Sequence, residues 1–405
     1  MTQTRWSTRL VATVLGILAA SMAVSMFGLT SVGLAWTSAR VPCSGADGGA
    51  AGLVAAVNAA NAAGGGTINL AAGCTYSLTS ANNMTAGGNG LPVISTPITI
   101  NGGGATIAGN RSSFRIILIG GSPTASLTLN RVIVTGGNTA GPAGGIANIG
   151  GGTLTLNRSL VTGNTSGQGG GGIVSGTMGT GPAGVTILNN SEVSFNTVTS
   201  PPGMGGGGGI LNHAGTLTLN SSIVDHNTSQ GGGGIASGTG TGNAGGGSLV
   251  TLNRSVISGN TATGGPQGGG GGMSNGGTLV SNYSLVSGNT APGSDGGGIL
   301  NHANATLNET VVVGNRALDD SSGDTGAGAG IGNVNFGVPG APPPTLLLND
   351  SIVAVNSVSA DGVGGGIANI AFGAPTGTVT LNHTHVNFNK PDNCFPTGSI
   401  AGCIG

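Results

Sequence analysis

Few side chains in this 405-residue chain could do chemistry, because only 5% of them are charged. Five carboxylates, Asp295, Asp319, Asp320, Asp324 and Asp361, fall in the same loop of three consecutive copies of a sequence repeat. Stacked copies would align them as an acidic ridge, and oxygen ligands on glycine-flanked loops could hold Ca²⁺ weakly. The same residues also read as a solvated edge. Polysaccharide hydrolysis needs two carboxyls a few ångströms apart. Lyase chemistry of the pectate type needs clustered acids for calcium and a basic residue. Arg316 is the one base nearby, and these acids sit in variable loops. Apart from weak Ca²⁺, no cofactor is implied.

The five histidines do not assemble a metal site. His213 and His302 share a register but lie three copies apart, roughly 14 Å. Asp225-His226 suggests acid–base work, yet the expectation is that no Ser, Cys or second carboxylate shares its register. His383 and His385 read as surface residues. Phe336 and Phe372 each stand five residues after an isoleucine, Ile331 or Ile367, and open a Gly/Pro-rich insertion. Equal register would stack the two rings, either as packing against the wall or as a ligand platform. The single lysine, Lys390, and the lack of a basic stripe exclude nucleic acid as a partner. The glycine runs are neither calcium-binding nonapeptides nor phosphate loops, since no fixed Asp and no Gly-Lys-Ser/Thr follows them.

The repeat positions all of these groups. Its register mark is the Asn that follows Leu-Thr-Leu or its equivalent: Asn130, Asn157, Asn189, Asn220, Asn253, Asn282, Asn308, Asn349 and Asn382. The spacing is roughly 31 residues, the signature of a solenoid. Four residues after each mark stands Val or Ile, as in Val224 and Ile257. Seven residues after it stands a second Asn, as in Asn227 and Asn260. Each unit holds three short β-prone pieces separated by Gly, Asn and Ser turns, and no apolar stripe of helical period. Such a unit cannot bury an apolar face alone, but stacked copies can.

The predicted fold is therefore all-β: a single-domain right-handed parallel β-helix of about eleven coils, with a short N-terminal capping helix. In the clearest copy Ile210, Leu217, Leu219 and Val224 point inward. The register asparagines stack as a ladder, also directed inward. Eight of the nine lie in Asn-x-Ser/Thr, a glycosylation motif that the ladder would occlude.

The predicted organisation is a signal peptide over 1–39, an N-terminal cap over 40–65, the β-helix over 66–390 and a C-terminal cap over 391–405. Arg5 and Arg9 precede an apolar run from Leu10 to Leu29, with cleavage after Ala35 or Ala39. An uncleaved membrane anchor is the competing reading, because the run is about long enough to span a bilayer. After cleavage no membrane span remains. Cys43 and Cys74 fall near one end of a rod about 50 Å long, and Cys394 and Cys403 near the other. A disulfide needs Cα atoms within about 7 Å, so the expected bridges are Cys43–Cys74 and Cys394–Cys403. Disulfides suit a secreted, extracellular or cell-surface protein.

Gly-Gly-Ile paired with Val-x-x-Asn, as in Gly208-Gly209-Ile210 and Val224 to Asn227, resembles the repeat pair of chlamydial polymorphic outer membrane proteins. Over residues 126–390 the chain also resembles secreted bacterial right-handed parallel β-helix proteins of the pectin-lyase-like fold. The stretch Gly73 to Leu78 followed by Gly90 to Ile94 is similar to the opening segment of those proteins. The resemblance implies a fold with high specificity and an activity with little. The function expected first is a secreted, non-enzymatic, monomeric rod of surface or adhesion type, binding an unknown cell-surface protein or glycan. The alternative is a polysaccharide-binding protein, or an enzyme of the polysaccharide lyase or glycoside hydrolase class.

Overall fold

The computed structural model describes residues 37–110, 113–176, 183–200, 206–238, 247–264, 269–319, 326–359 and 361–404. Segment 1–36, which holds most of the expected signal peptide, lies outside them, as do Asp320 and Asp324. Thr37–Val41 forms a strand paired in parallel with Gly66–Leu70. Cleavage after Ala35 would preserve that strand, whereas cleavage after Ala39 would remove three of its five residues.

The described chain is a parallel β-helix with three sheets of 21, 8 and 10 strands and one helix, Gly49–Ala62. The broad sheet contains two columns. One column stacks five-residue strands such as Thr216–Asn220, and the other stacks three-residue strands such as Ile223–Asp225. Two long early strands, Pro97–Ala108 and Ser126–Thr135, run through both columns and join them. From Asn130 to Asn382 every register Asn pairs with the next without a slip. Loop length changes between copies, but the strand offsets do not, because a shift of one residue would turn the apolar set outward.

The core follows the repeat. Ile210, Leu217, Leu219 and Val224 are fully buried, one set per turn of the solenoid. Leu53, Val57 and Ala60 of the helix join this core, and the helix packs on the first strands. The glycine runs allow close approach. A Cβ on Gly208 would lie 2.4 Å from the Gly233 carbonyl oxygen of the next coil, a distance no side chain tolerates.

Both expected disulfides are present, with Cα separations of 5.5 Å for Cys43–Cys74 and 6.3 Å for Cys394–Cys403. Among the described residues no helix is long and apolar enough to cross a membrane.

Candidate functional site

The register asparagines form a ladder, but it faces outward. In Thr216–Asn220 burial alternates, with Leu217 and Leu219 inside and Thr216, Thr218 and Asn220 half-exposed. The inward direction expected for Asn220 is therefore corrected: Asn220 is two residues from Thr218 and shares its face. Each amide donates to the oxygen of the preceding coil, as in Asn220 Nδ2 to Asn189 Oδ1 and Asn253 Nδ2 to Asn220 Oδ1, both 2.9 Å. The ladder also runs back through Asn101 to Asn69. The outward direction removes the ground on which the glycosylation motif was expected to be occluded. Its amide nitrogen is engaged in the ladder, and its hydroxyl is buried, as at Ser222, which donates to the Asn220 carbonyl at 2.9 Å.

The fully buried ladder belongs to the second Asn of each repeat. Asn227 accepts from the Asn196 backbone N–H and donates to the Val193 carbonyl, each at 2.9 Å. It also donates to Asn260 Oδ1 at 3.0 Å.

Immediately after each outer Asn the chain turns through the left-handed region. Nine residues, from Arg131 to His383, hold φ between 47° and 55° there. Their side chains project from the corner as an exposed row along the rod. Arg131 and Arg158 occupy consecutive coils, about 4.8 Å apart along the axis. They line an open groove of about 460 Å³ with Asn101, Asn130, Asn157, Asn189 and Asn190. Among the described residues neither arginine forms an ion pair. Two free guanidiniums beside a string of carboxamides can hold an anionic polymer by paired N–H donation. Farther along the row Arg254 lies over the Tyr283 ring at 5.5 Å.

A second corner carries Asp225 and His226. Asp225 Oδ2 and His226 Nδ1 are 2.8 Å apart, and the imidazole stacks on Phe195 of the preceding coil at 5.0 Å. Asp225 Oδ1 is buried without a partner. The expectation that no Ser shares this register is overturned. Asp225 pairs in register with Ser194 on one side and Ser258 on the other. Glu192 accepts from Ser194 Oγ at 2.7 Å, and its backbone pairs with Ile223, two residues before Asp225. Glu192 and Asp225 are thus diagonal neighbours on one outer face of adjacent coils. Sequence reasoning missed this pair because the two acids stand at different offsets. The register offsets of adjacent copies, read together, would have found it.

Of the acids of the expected ridge, Asp295, Asp319 and Asp361 lie among the described residues. Asp295 is buried and accepts from the Ala327 N–H at 2.9 Å; burial pushes its carboxyl up to about 7. Asp319 is exposed and bonded to Ser359 through its carboxylate, while its backbone N–H donates to Ser359 Oγ at 2.8 Å. Asp361 is exposed. No cluster of three His, Cys, Asp or Glu side chains suited to a metal occurs among the described residues.

Phe336 and Phe372 stack as expected, with centroids 5.7 Å apart and planes inclined by 7°. His302 extends the stack one coil further, 4.8 Å from Phe336. Burial lowers the His302 imidazole to about 4 and leaves its Nδ1 without a partner.

No protein-family model and no curated protein matches the chain. Among solved structures it is similar to pectate lyase Pel9A at 14% identity, covering 87% of this chain and 80% of that one with a TM-score of 0.47. It is also similar to the A-module of the Azotobacter vinelandii mannuronan C-5 epimerase AlgE4, at 15% identity over 83% and 90% with a TM-score of 0.37.

Proposed function

We propose that this protein is a secreted, non-enzymatic β-helical rod of surface or adhesion type whose ligand is an acidic glycan. The observation that carries the reading is the groove of Arg131 and Arg158, two unpaired guanidiniums one coil apart beside the outer carboxamide ladder. A polyanion with regularly spaced carboxylates would meet both at once, and the carboxamides supply donors and acceptors for hydroxyls.

Calorimetry with polygalacturonate, alginate and neutral dextran tests it. Binding of the acidic polymers that weakens with salt, and at least tenfold weaker binding by Arg131→Ala/Arg158→Ala, is the expected result. Equal binding of dextran, or no change in the double variant, would overturn it.

The diagonal carboxylates Glu192 and Asp225 favour a second reading, a glycoside hydrolase. Acid–base hydrolysis uses two carboxylates on one face, with roughly 6.5–9.5 Å between the carboxyl groups in inverting enzymes. Release of reducing ends, lost in Glu192→Gln and in Asp225→Asn, would establish that reading in place of the first.

A further inference from the structure

The five-residue strands of the broad sheet present an outer face that repeats in two directions. The first outward position is threonine at Thr153, Thr216, Thr278, Thr345 and Thr378. The second is threonine at Thr155, Thr218, Thr251, Thr306 and Thr380. The third is the outer Asn ladder. Neighbouring positions are about 4.8 Å apart between coils and about 6.6 Å apart along a strand. Between Ser126 and Asn382 no outward position on these strands is charged or aromatic. Val185, Ile187, Leu249, Val280 and Leu347 interrupt the hydroxyls with aliphatic groups.

The array is held rigid. The carboxamides are bonded to one another along the rod, as in Asn157 to Asn130 at 2.8 Å. Threonine is stiff at χ1 because it is branched at Cβ. Thr153, Thr155, Thr216 and Thr218 make no side-chain hydrogen bond within the protein, so their hydroxyls face water.

A single polymer repeats along one direction and would use one row. A face that repeats in two directions complements a partner that is itself a lattice. A crystalline polysaccharide is gripped by ring stacking, and no ring stands here. A charged side chain would impose its own hydration shell, and none stands here either. We propose that this face binds ice, with water anchored at the hydroxyls and carboxamides and ordered over the threonine methyls before it joins the crystal. The proposal shares the outer carboxamide ladder with the arginine groove but uses the threonine rows and neither Arg131 nor Arg158.

The test measures inhibition of ice recrystallisation and thermal hysteresis for the exported protein. Thr155→Lys/Thr218→Lys is compared with Ser221→Lys, which lies on the adjoining corner where other copies carry arginine. The wild type and the Ser221 variant are expected to suppress recrystallisation at micromolar concentration, with at least a tenfold loss in the double lysine variant. Thr155→Val/Thr218→Val keeps the shape of the sheet and removes only the hydroxyls; at least a twofold loss is expected. A wild type no better than an equal mass of serum albumin would overturn the proposal. So would full activity in the valine variant, or in a folded lysine variant.

Discussion

The two asparagine ladders differ in what surrounds them. Along the outer ladder, Asn220 bonds only to Asn189 and Asn253, and its other face meets water. Along the inner ladder, Asn227 serves backbone groups as well: the Asn196 N–H and the Val193 and Asp225 carbonyls. The outer row links side chains that water could satisfy. The inner row satisfies a corner of the main chain that water cannot reach. Identical residues at the same spacing therefore carry different amounts of stability.

The largest expected effect tests this directly. Asn227→Ala orphans the Asn196 N–H inside the rod and removes one donor from the Val193 and Asp225 carbonyls, and the loss should be about 3 kcal/mol in urea unfolding. A loss no larger than that of Asn220→Ala would make the two ladders equivalent.

Next comes the contrast between buried and exposed titrating groups. His302 is held down at about 4 in the fold against an ordinary 6.5, so the unfolded chain alone takes up its proton between those values. Stability from this group is lost as pH falls through that window. Asp295 is held up at about 7 against an ordinary 3.8, so only the folded chain keeps its proton there. Stability from this group is lost as pH rises from about 4 to 7. The two slopes oppose each other and nearly cancel between pH 4 and 6.5. Asp295→Asn should unmask the histidine, and stability should then rise with pH by about 1.4 kcal/mol per unit. A profile as flat as that of the wild type would mean that His302 reaches water.

Smaller still, Asn220→Ala should cost about 1 kcal/mol, the net value of an ordinary hydrogen bond. Ser221→Ala, at the exposed left-handed corner with φ of 49°, should change stability by less than about 0.5 kcal/mol. Equal melting shifts for these neighbours would remove the outer ladder from the account of stability.

The core was legible because one coil fixes one offset set: Leu217, Leu219 and Val224 recur and are buried. The outward direction of Asn220 was legible too, since strict alternation with Leu217 and Leu219 puts it on the opposite face. Contacts between unlike offsets were not legible. His302 reaches Phe336 because the strand Ile331–Asn335 runs two residues beyond its neighbour Ile299–Asn301, which equal spacing from the isoleucines does not reveal. Glu192 and Asp225 meet diagonally for a similar reason: pairing is between coils, whereas the motif is written along the chain.

The ladders also differ in polarity. Outer amides donate toward the N-terminal coil, as in Asn253 to Asn220. Inner amides donate toward the C-terminal coil, as in Asn227 to Asn260. The inner direction is imposed, since each Oδ1 must also accept a main-chain N–H of the preceding coil, as Asn260 does from Asn227. Each ladder is a string of aligned dipoles, and the two strings run antiparallel. At each tip the partial charges of the two ladders are of opposite sign and partly offset each other.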